Sequence, residues 1–492
     1  MTAFRTKHLL ALLTITGLLA SALGSGGGAI AAAKSKNAAG PKAVAHTAGG
    51  KKASGKPGDA PRPKQFRLGV ASTEPTLGVA NDGSVFTSAI STNTRVDVLR
   101  SKDRGKTWDN VSPNIAGQNT HLISLDPYTY VDNRVSDKDA SRIFTVDLTV
   151  ACSILSYSDD LGESWTNNPL ACGRPVNDHQ TLFAGPPQSS APIGYDNIVY
   201  YCWNDVASSA CSKSLDGGIT FSPTGSPAFE GVDPQNEGAR LCGGLHGHGF
   251  VDLEGNVYLP RGYCGKQKVA ISRDEGRTWE RHAVDDGLGD SDAGADPSVT
   301  VDAEGNIYYL FVGNDRLPYL TISKNDGQKW SKPVMVGAPG VNEGNLPAID
   351  VGDPGKIAMV YIGTDNGPNR PVRGQSCRDS EKGCPTNEDY RTATWNAYVT
   401  VSYNALSKKP LFYSASINDP KDPIVRGRCL SRCTGRIPGN LDFIDLVVDP
   451  FGQVWTSFVD ECLIICPQGG GNDGGEGIIG TLVGGKRLSR SR

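Results

Sequence analysis

An eight-residue pattern recurs five times along the chain and constrains the fold more than any other feature. Its clearest copy, at residues 272–279, reads SRDEGRTW, and related copies span residues 101–108, 158–165, 214–221 and 323–330. In chain order their starting positions are 57, 56, 58 and 51 residues apart. A fixed period of this size is typical of propellers and solenoids, in which each repeat is one unit of a larger array.

The residue types in the pattern indicate a hairpin turn. An Asp at the third position can accept hydrogen bonds from the backbone N–H groups of its own turn, and the Gly at the fifth position can take a positive φ. The closing Trp or Phe then enters the next strand and packs between sheets. We interpret the Asp residues as structural, because a group present on every unit cannot form one unique catalytic site.

Each repeat also contains short runs of Val, Ile, Tyr and Phe separated by Gly-containing turns, which predict four antiparallel strands per unit. Four strands in about fifty residues is typical of a propeller blade. Seven first strands can be placed, beginning near Glu74, Asp126, Asp178, His246, Asp296, Asn345 and Asp442. The sequence therefore predicts an all-β, seven-bladed β-propeller over residues 65–492, with six blades as the alternative.

The last unit reaches only a third strand, at residues 477–483. Residues 66–70 lie just before the first blade and can supply the missing fourth strand. Closing the ring with a strand from the other terminus removes two free edges that invite aggregation. We therefore expect an N-terminal strand to close the propeller.

The first 64 residues have the composition of export and linker segments. Arg5 and Lys7 precede an apolar run over residues 9–19, and small residues follow at 31–33, which predicts a secretory signal peptide over residues 1–33. Residues 34–64 are basic, lack aromatics and predict a disordered linker. This linker is either a plain spacer or a tether to an anionic cell wall.

Charge, hydropathy and cysteine content agree with an exported protein. Without the ten basic and one acidic residues before position 65, 39 basic and 51 acidic residues remain, which makes nucleic acid an improbable partner. No second long apolar run follows the leader, so no transmembrane segment is expected. The twelve cysteines fall into six neighbouring couples, and we expect disulfides between sequential partners. We further expect a secreted monomer.

The starts of the innermost strands carry the candidate catalytic groups. In a propeller these starts meet at one mouth of the central channel, opposite the face that holds the repeated turns. His246 and His248 lie on one side of their strand, because side chains alternate along a strand. These groups suit acid–base catalysis or metal binding, or they cap neighbouring strand ends. The candidate catalytic residues are Asp126, Asp178, His179, His246, His248, Asp296 and Tyr263, of which Tyr263 follows a second strand.

Candidate substrate-binding residues lie on the same predicted face. Glu74 and Asp442 begin inner strands, whereas Arg95, Arg261 and Arg316 lie in loops after second strands. A long insertion, residues 364–394, is expected to overhang this face as a lid or as a decoration. No metal ligands are assigned and no cofactor is required, although the histidines could hold a divalent metal.

The repeated turns resemble the Asp-box, or bacterial neuraminidase, repeats of the sialidase superfamily, over about 420 residues. The resemblance implies a propeller fold and identifies activity only weakly. A sialidase needs an arginine triad to bind the substrate carboxylate, an Asp proton donor and a Tyr activated by Glu. This chain departs from the pattern: no Arg-Ile-Pro precedes the first blade, residues 436–438 supply one near the other end, and the resemblance implies six blades.

The resemblance and the predicted site together favour a secreted, sialidase-like glycan-processing hydrolase with its site at the mouth of the channel. Its partner would be a carbohydrate or glycoconjugate. One alternative is a non-catalytic propeller that binds glycans or proteins, which would show an aromatic groove instead of a titratable pair. Another is a metal-assisted polysaccharide lyase or hydrolase that uses the histidine cluster.

Overall fold

The computed structural model describes residues 39–489 except for 57, 91–95, 114–125, 134–140, 150–151, 170–176, 206–207, 233–241, 243, 286–287, 289–295, 369–385, 428–443 and 462–474. This part contains thirty strands, which form seven sheets, and one 3-10 turn (Asn387–Tyr390). No helix in the described residues has the length and apolarity needed to cross a bilayer.

The strands are numbered in chain order and grouped by blade. Two strands precede the first blade, β1 (Val44–Thr47) and β2 (Arg62–Ser72). Blades 1 and 2 comprise β3 (Leu77–Val79), β4 (Val85–Ile90), β5 (Val96–Ser101) and β6 (Asp109–Asn110), then β7 (Pro127–Asp132), β8 (Arg142–Thr149), β9 (Cys152–Ser158) and β10 (Thr166–Pro169). Blades 3 and 4 comprise β11 (Asp178–Gly185), β12 (Ile198–Asn204), β13 (Ser209–Ser214) and β14 (Ser222–Pro223), then β15 (Phe250–Val251), β16 (Val257–Tyr263), β17 (Lys266–Ser272) and β18 (Glu280–Ala283). Blades 5 to 7 comprise β19 (Ser298–Val301), β20 (Ile307–Val312), β21 (Pro318–Ser323) and β22 (Val334–Met335), then β23 (Glu343–Val351), β24 (Ile357–Thr364), β25 (Thr394–Ser402), β26 (Leu411–Ser416) and β27 (Val425–Arg426), then β28 (Asp445–Val448), β29 (Val454–Asp460) and β30 (Gly475–Val483).

The sheets form a closed ring. Within each blade the strands pair antiparallel, and the first strand is innermost. The seven inner strands contact one another in a complete cycle, from β3 through β7, β11, β15, β19, β23 and β28 back to β3. The predicted seven-bladed β-propeller is confirmed, and its inner strands surround a central channel.

Side chains connect inner strands that do not pair as a sheet. The Thr76 hydroxyl accepts a hydrogen bond from the backbone N–H of Thr129 at 2.5 Å, which joins blade 1 to blade 2. Oδ2 of Asp350 accepts the N–H of Val448 at 2.7 Å, joining blades 6 and 7. These bonds satisfy backbone donors that the inner edge of a blade would otherwise leave unpaired.

The N-terminal strand β2 closes blade 7, as the sequence predicted. It pairs with β30, and Phe66 lies opposite Ile479 in the register. Phe66 and Trp455 stack with ring centroids 6.3 Å apart, between blades 7 and 1. The two ends of the chain therefore meet in one sheet.

The structure differs from the prediction of a disordered linker over residues 34–64. Within that range, β1 pairs antiparallel with β26 and adds an outer strand to blade 6. The physical reason lies in β26, which at six residues is the longest of the fourth strands of blades 1 to 6; those of blades 1 to 5 have two to four residues. A long outer edge offers unpaired backbone groups, and β1 covers them. Nearby, the Gly49 N–H donates to the carbonyl of Met335 at 2.9 Å, so the turn after β1 also contacts blade 5.

The repeated turns join the third and fourth strands of their blades, and their chemistry follows the predicted pattern. In the first turn, Oδ1 of Asp103 accepts the backbone N–H groups of Lys106 and Thr107, each at 2.9 Å. The Ser101 hydroxyl accepts the N–H of Gly105 at 2.7 Å, and Gly105 has a φ of 87°. These bonds hold the pKa of Asp103 at about 2 against the opposing effect of burial.

The fourth position of each turn connects neighbouring blades. In the second turn this position is Leu161, whose backbone carbonyl accepts a hydrogen bond from Arg100 of the preceding blade at 2.7 Å. In the third turn it is Gly217, whose carbonyl accepts one from Arg142 of the preceding blade at 2.7 Å. In the fourth copy, the side chain of Glu275 makes the connection instead. A position that differs in all five copies of the repeat is therefore the one that docks blade on blade.

Two of the expected disulfides are present among the described residues. Cys202 bonds to Cys211 across strands β12 and β13, and Cys242 bonds to Cys264 at the channel-mouth end of blade 4. Both join sequential partners, as predicted. The other eight cysteines lie outside the part of the chain whose side chains are described.

Candidate active site

Five of the predicted site residues gather at one mouth of the channel, where the inner strands begin. They come from five blades and are almost completely buried, with exposed fractions of 7% or less. They are Glu74, Asp126, His179, His246 and Asp296, which we call the mouth cluster. Asp178, the first residue of β11, is exposed beside it. The closed ring thus brings together groups from distant parts of the sequence.

His179 connects the members of the mouth cluster. Its backbone N–H donates to Oδ2 of Asp126 at 3.0 Å, and its Nε2 lies 2.8 Å from Oδ2 of Asp296. Its ring meets the ring of His246 edge-on, with centroids 5.6 Å apart. His179 therefore contacts Asp126 through its backbone, and through its imidazole it contacts the carboxylate of Asp296 and the ring of His246.

The backbone at two of these strand starts is left-handed. His179 has a φ of 50°, and the pairing register of β11 shifts between Asp178 and Thr181. Glu74 has a φ of 45°. Residues other than Gly rarely take this backbone conformation, and those that do so concentrate at functional sites. Here the shift directs the His179 side chain towards Asp296.

Asp126 has the properties of a proton donor. Burial raises its pKa, and the nearby carboxylate of Asp178 raises it further. A hydrogen bond with the side chain of Glu74 opposes this rise, and a bond between two carboxyl groups requires that one of them carries a proton. Glu74 and Asp126 therefore share a proton, whereas exposed Asp178 is open to solvent.

His246 has the properties of a neutral base. Its Nδ1 lies 3.0 Å from the carbonyl of Gly247, which can only accept, so Nδ1 carries the hydrogen. Burial lowers the pKa of His246 well below its usual value, and His179 lowers it further. Nε2 thus holds a lone pair, and no described residue hydrogen bonds to it.

His248 lies below the mouth, inside the channel. Its Nδ1 is 2.8 Å from the hydroxyl of Tyr128, so the pair spans blades 2 and 4. Burial lowers the pKa of His248 to about 3, with a contribution from His179. Both side chains line a cavity of about 250 Å³, which also contacts Asp350 and Asp445. Burial raises the pKa of Asp445 to about 7.

The other predicted residues do not join the mouth cluster. The Tyr263 hydroxyl donates to the carbonyl of Glu230 at 2.7 Å, and its ring packs on Phe229. The Arg261 guanidinium donates to the Ser209 hydroxyl and to the carbonyl of Gly244, each at 2.9 Å. These contacts anchor loops of blades 3 and 4. Arg95 and Asp442 lie outside the described residues.

Arg316 belongs to a second buried group that sequence reasoning missed. Its Nη1 lies 3.0 Å from Oε2 of Glu343, and the same oxygen accepts the Tyr390 hydroxyl at 2.8 Å. Arg316 also hydrogen bonds directly to Tyr390. Arg316 and Glu343 are 1% exposed, and Tyr390 is fully buried. Tyr390 comes from the predicted insertion, and nothing in its sequence context points to Glu343.

The described residues contain no group of three or more His, Cys, Asp or Glu side chains arranged to hold a metal ion. The metal-assisted alternative stays a prediction. The Cys242–Cys264 disulfide fixes the segment that leads to His246 and His248 onto the end of β16. The histidines are thus held on the rigid part of blade 4.

Comparison with known proteins reveals only distant similarity. No protein-family model matches the chain, and no curated protein matches its sequence. Among solved structures, one match is a protein of unknown function from Dyadobacter fermentans, at 12% identity and a TM-score of 0.41, covering 86% of this chain and 98% of that one.

Two further matches are enzymes of known activity. The NanB sialidase from Streptococcus pneumoniae shares 12% identity at a TM-score of 0.39, over 84% of this chain and 68% of that one. An α-L-arabinanase from Penicillium chrysogenum shares 14% identity at a TM-score of 0.38, over 73% of this chain and 98% of that one. Sequence identities and TM-scores this low support no conclusion about the activity of this chain.

Proposed function

We propose that this protein is an exported glycan-processing hydrolase whose acid–base centre is the mouth cluster. The observation that carries the proposal is the position of a buried carboxyl beside a buried imidazole. Asp126 shares a proton with Glu74, and His179, bonded to Asp126 through its backbone, faces Asp296 at 2.8 Å. Burial raises the pKa of Asp126 and lowers that of His246, and groups whose surroundings separate their pKa values in this way can serve as acid and base in one reaction.

The roles follow from protonation and exposure. Asp126 donates its proton to the glycosidic oxygen of the leaving group. Exposed Asp178 is the carboxylate open to an incoming sugar, and it either activates water or attacks the anomeric carbon. Asp296 orients the His179 imidazole and stabilises its positive charge when it is protonated. The Asp-box resemblance supports a carbohydrate as the substrate.

The experiment is a screen of the purified protein against chromogenic neutral and sialylated glycosides. Asp126→Asn is expected to lower kcat by about 10² to 10⁴, the usual contribution of a general acid. Asp109→Asn is the matched control, because Asp109 is exposed on the outermost strand of blade 1. Full activity in Asp126→Asn would refute the assignment. Glycan binding without turnover would favour the non-catalytic alternative.

A sialidase-type centre is a second candidate, favoured by the Tyr390–Glu343 pair. The Tyr390 hydroxyl donates to Glu343, which resembles the Tyr–Glu nucleophile that the family likeness implies. Arg316 is already engaged with Glu343, so a substrate carboxylate would have to displace that contact. Tyr390→Phe removes only the hydroxyl. Loss of sialoside hydrolysis with unchanged folding supports this centre, whereas unchanged hydrolysis rules it out.

A further inference from the structure

The mouth cluster and its neighbour Gln180 contain buried acceptor atoms that no described residue satisfies. Nε2 of His246 carries a lone pair in a fully buried ring, and no described residue bonds to it. The Gln180 amide nitrogen donates to the carbonyl of Asp126. Gln180 is 1% exposed, and its Oε1 has no hydrogen-bond partner in the described part of the chain. Buried polar atoms of this kind normally have partners.

Carboxylates in and beside the mouth cluster add further acceptor atoms. Asp178 and Asp296 contribute carboxylate oxygens, which accept only when ionised. The guanidinium of Arg261, whose charge contributes to lowering the pKa of His246, is 1% exposed and donates to Ser209 and Gly244. A ligand that fits here must therefore bring hydrogens and positive charge, and a carboxylated sugar would meet repulsion.

We propose that the mouth cluster recognises a protonated amine, so that the substrate class is an amino-sugar glycan with a free –NH₃⁺ group. An ammonium has three N–H donors and no acceptor, which complements a site of acceptors. His246 Nε2 accepts one N–H, and the carboxylates of Asp178 and Asp296 provide the opposite charge. The inference rests on the proposed function and gives it a substrate selectivity opposite to that for sialic acid.

Calorimetric titration with three probes tests the selectivity. D-glucosamine carries the ammonium, N-acetyl-D-glucosamine is its neutral counterpart, and N-acetylneuraminic acid is anionic. We expect glucosamine to bind about tenfold or more tightly than either of the others, the factor that one charge-assisted hydrogen bond supplies. Equal binding of glucosamine and N-acetylglucosamine, or tighter binding of N-acetylneuraminic acid, would overturn the proposal.

Variants locate the binding. His246→Leu removes the Nε2 acceptor and is expected to weaken glucosamine binding about tenfold, whereas His246→Gln, which keeps an acceptor, restores part of it. Asp178→Asn tests the charge without risk to the fold, because Asp178 is exposed. His282→Gln on the outer strand β18 is the control and should bind as the native protein does. Unchanged binding in both His246→Leu and Asp178→Asn would contradict the inference.

The two proposals fail in different ways. Hydrolysis of neutral glycans with no preference for the amine would leave the hydrolase intact and remove the substrate class. Selective binding of glucosamine, with no hydrolysis of chitosan oligosaccharides or of any other glycan, would remove the hydrolase. In that case the amine specificity would be that of a binding propeller.

Discussion

Nε2 of His179 lies 2.8 Å from Oδ2 of Asp296, and this contact joins blade 3 directly to blade 5 across the channel mouth. The side chains are only 4% and 6% exposed. An imidazole and a carboxyl group that are both withdrawn from water interact more strongly than they would at the surface.

Asp296→Asn is the first variant that tests this contact. Asparagine has nearly the same shape but cannot stabilise the imidazolium, so the proposed hydrolase should lose about 10² to 10⁴ in kcat/KM. The measurement is steady-state hydrolysis of the best substrate from the glycoside screen. Asp109→Asn again serves as control. A variant with native kcat/KM would show that the His179–Asp296 pair only holds the blades together.

Asp445 should make stability fall as pH rises. Burial raises its folded-state pKa to about 7, whereas an unfolded Asp titrates near 3.9. The folded state therefore binds the proton more tightly, so this contribution is fully present below about pH 4 and is lost between pH 4 and 7. The loss is at most about 4 kcal/mol, and less because Asp445 is partly exposed.

Thermal unfolding of the native protein and Asp445→Asn, followed between pH 4 and 8, measures this effect. The amide stays neutral and keeps one acceptor for the backbone N–H groups of Leu77 and Leu446 that the carboxylate now binds. The difference in Tm between native protein and variant should shift in favour of the variant as the pH rises. A difference that is constant across the range would contradict the raised pKa.

Glu275 should be the most important carboxylate for docking blade 4 on blade 3. Its Oε1 accepts the backbone N–H groups of Gln188, Ser189 and Ser190 at 3.0, 2.7 and 2.8 Å, and its Oε2 lies 2.7 Å from Nζ of Lys213. These bonds lower its pKa against the opposing effect of burial. The stabilisation is therefore present above about pH 4.3 and is lost as the pH falls below that value.

Glu275→Gln keeps the shape and removes the charge. We expect the free energy of unfolding to fall by about 1.5–3 kcal/mol, since hydrogen bonds to charged groups are the strong ones. Urea denaturation at pH 7 measures the change. Glu254→Gln is the control, because Glu254 is exposed in a turn of the same blade. An equal effect of the two substitutions would show that the docking contact contributes nothing.

Removal of β1 should destabilise blade 6. A chain that begins at residue 55 loses β1, including His46, whose Nε2 lies 2.7 Å from the Ser414 hydroxyl. It also uncovers the edge of β26, which becomes free to pair with another molecule. We expect a lower Tm and concentration-dependent aggregation, measured by scanning calorimetry and light scattering. The control is a chain that begins at residue 39, and equal behaviour of the two chains would contradict the prediction.

The fold could be read from the sequence because each blade repeats the same local chemistry. Ser101, Asp103 and Gly105 make in the structure the bonds that their residue types predict, and the later copies repeat them. The closing strand at Phe66 was also predictable, since a seventh blade with three strands requires a fourth. The role of β1 was not, because Val44–Thr47 has little apolar character, and its partner β26 lies at the other end of the chain.

The site was predictable in outline but not in its pairings. Strand starts place His179, His246 and Asp296 at the same mouth, and the ring topology requires this. The sequence contains no signal for the left-handed backbone of His179, which decides that its side chain faces Asp296. Nor can sequence spacing show that Tyr263 donates to the carbonyl of Glu230 and Arg261 to that of Gly244, because those hydrogen bonds depend on loop conformation.

Residues 44–72 supply the outermost strands of the last two blades, and this has a consequence for biosynthesis. These strands are made before all the blades, yet their partners β26 and β30 are made after most of the other strands. Contacts between such distant segments form slowly, because a long loop must close before they stabilise anything. The ring of sheets therefore closes only after β30 has been made, when its earliest strands meet its latest ones.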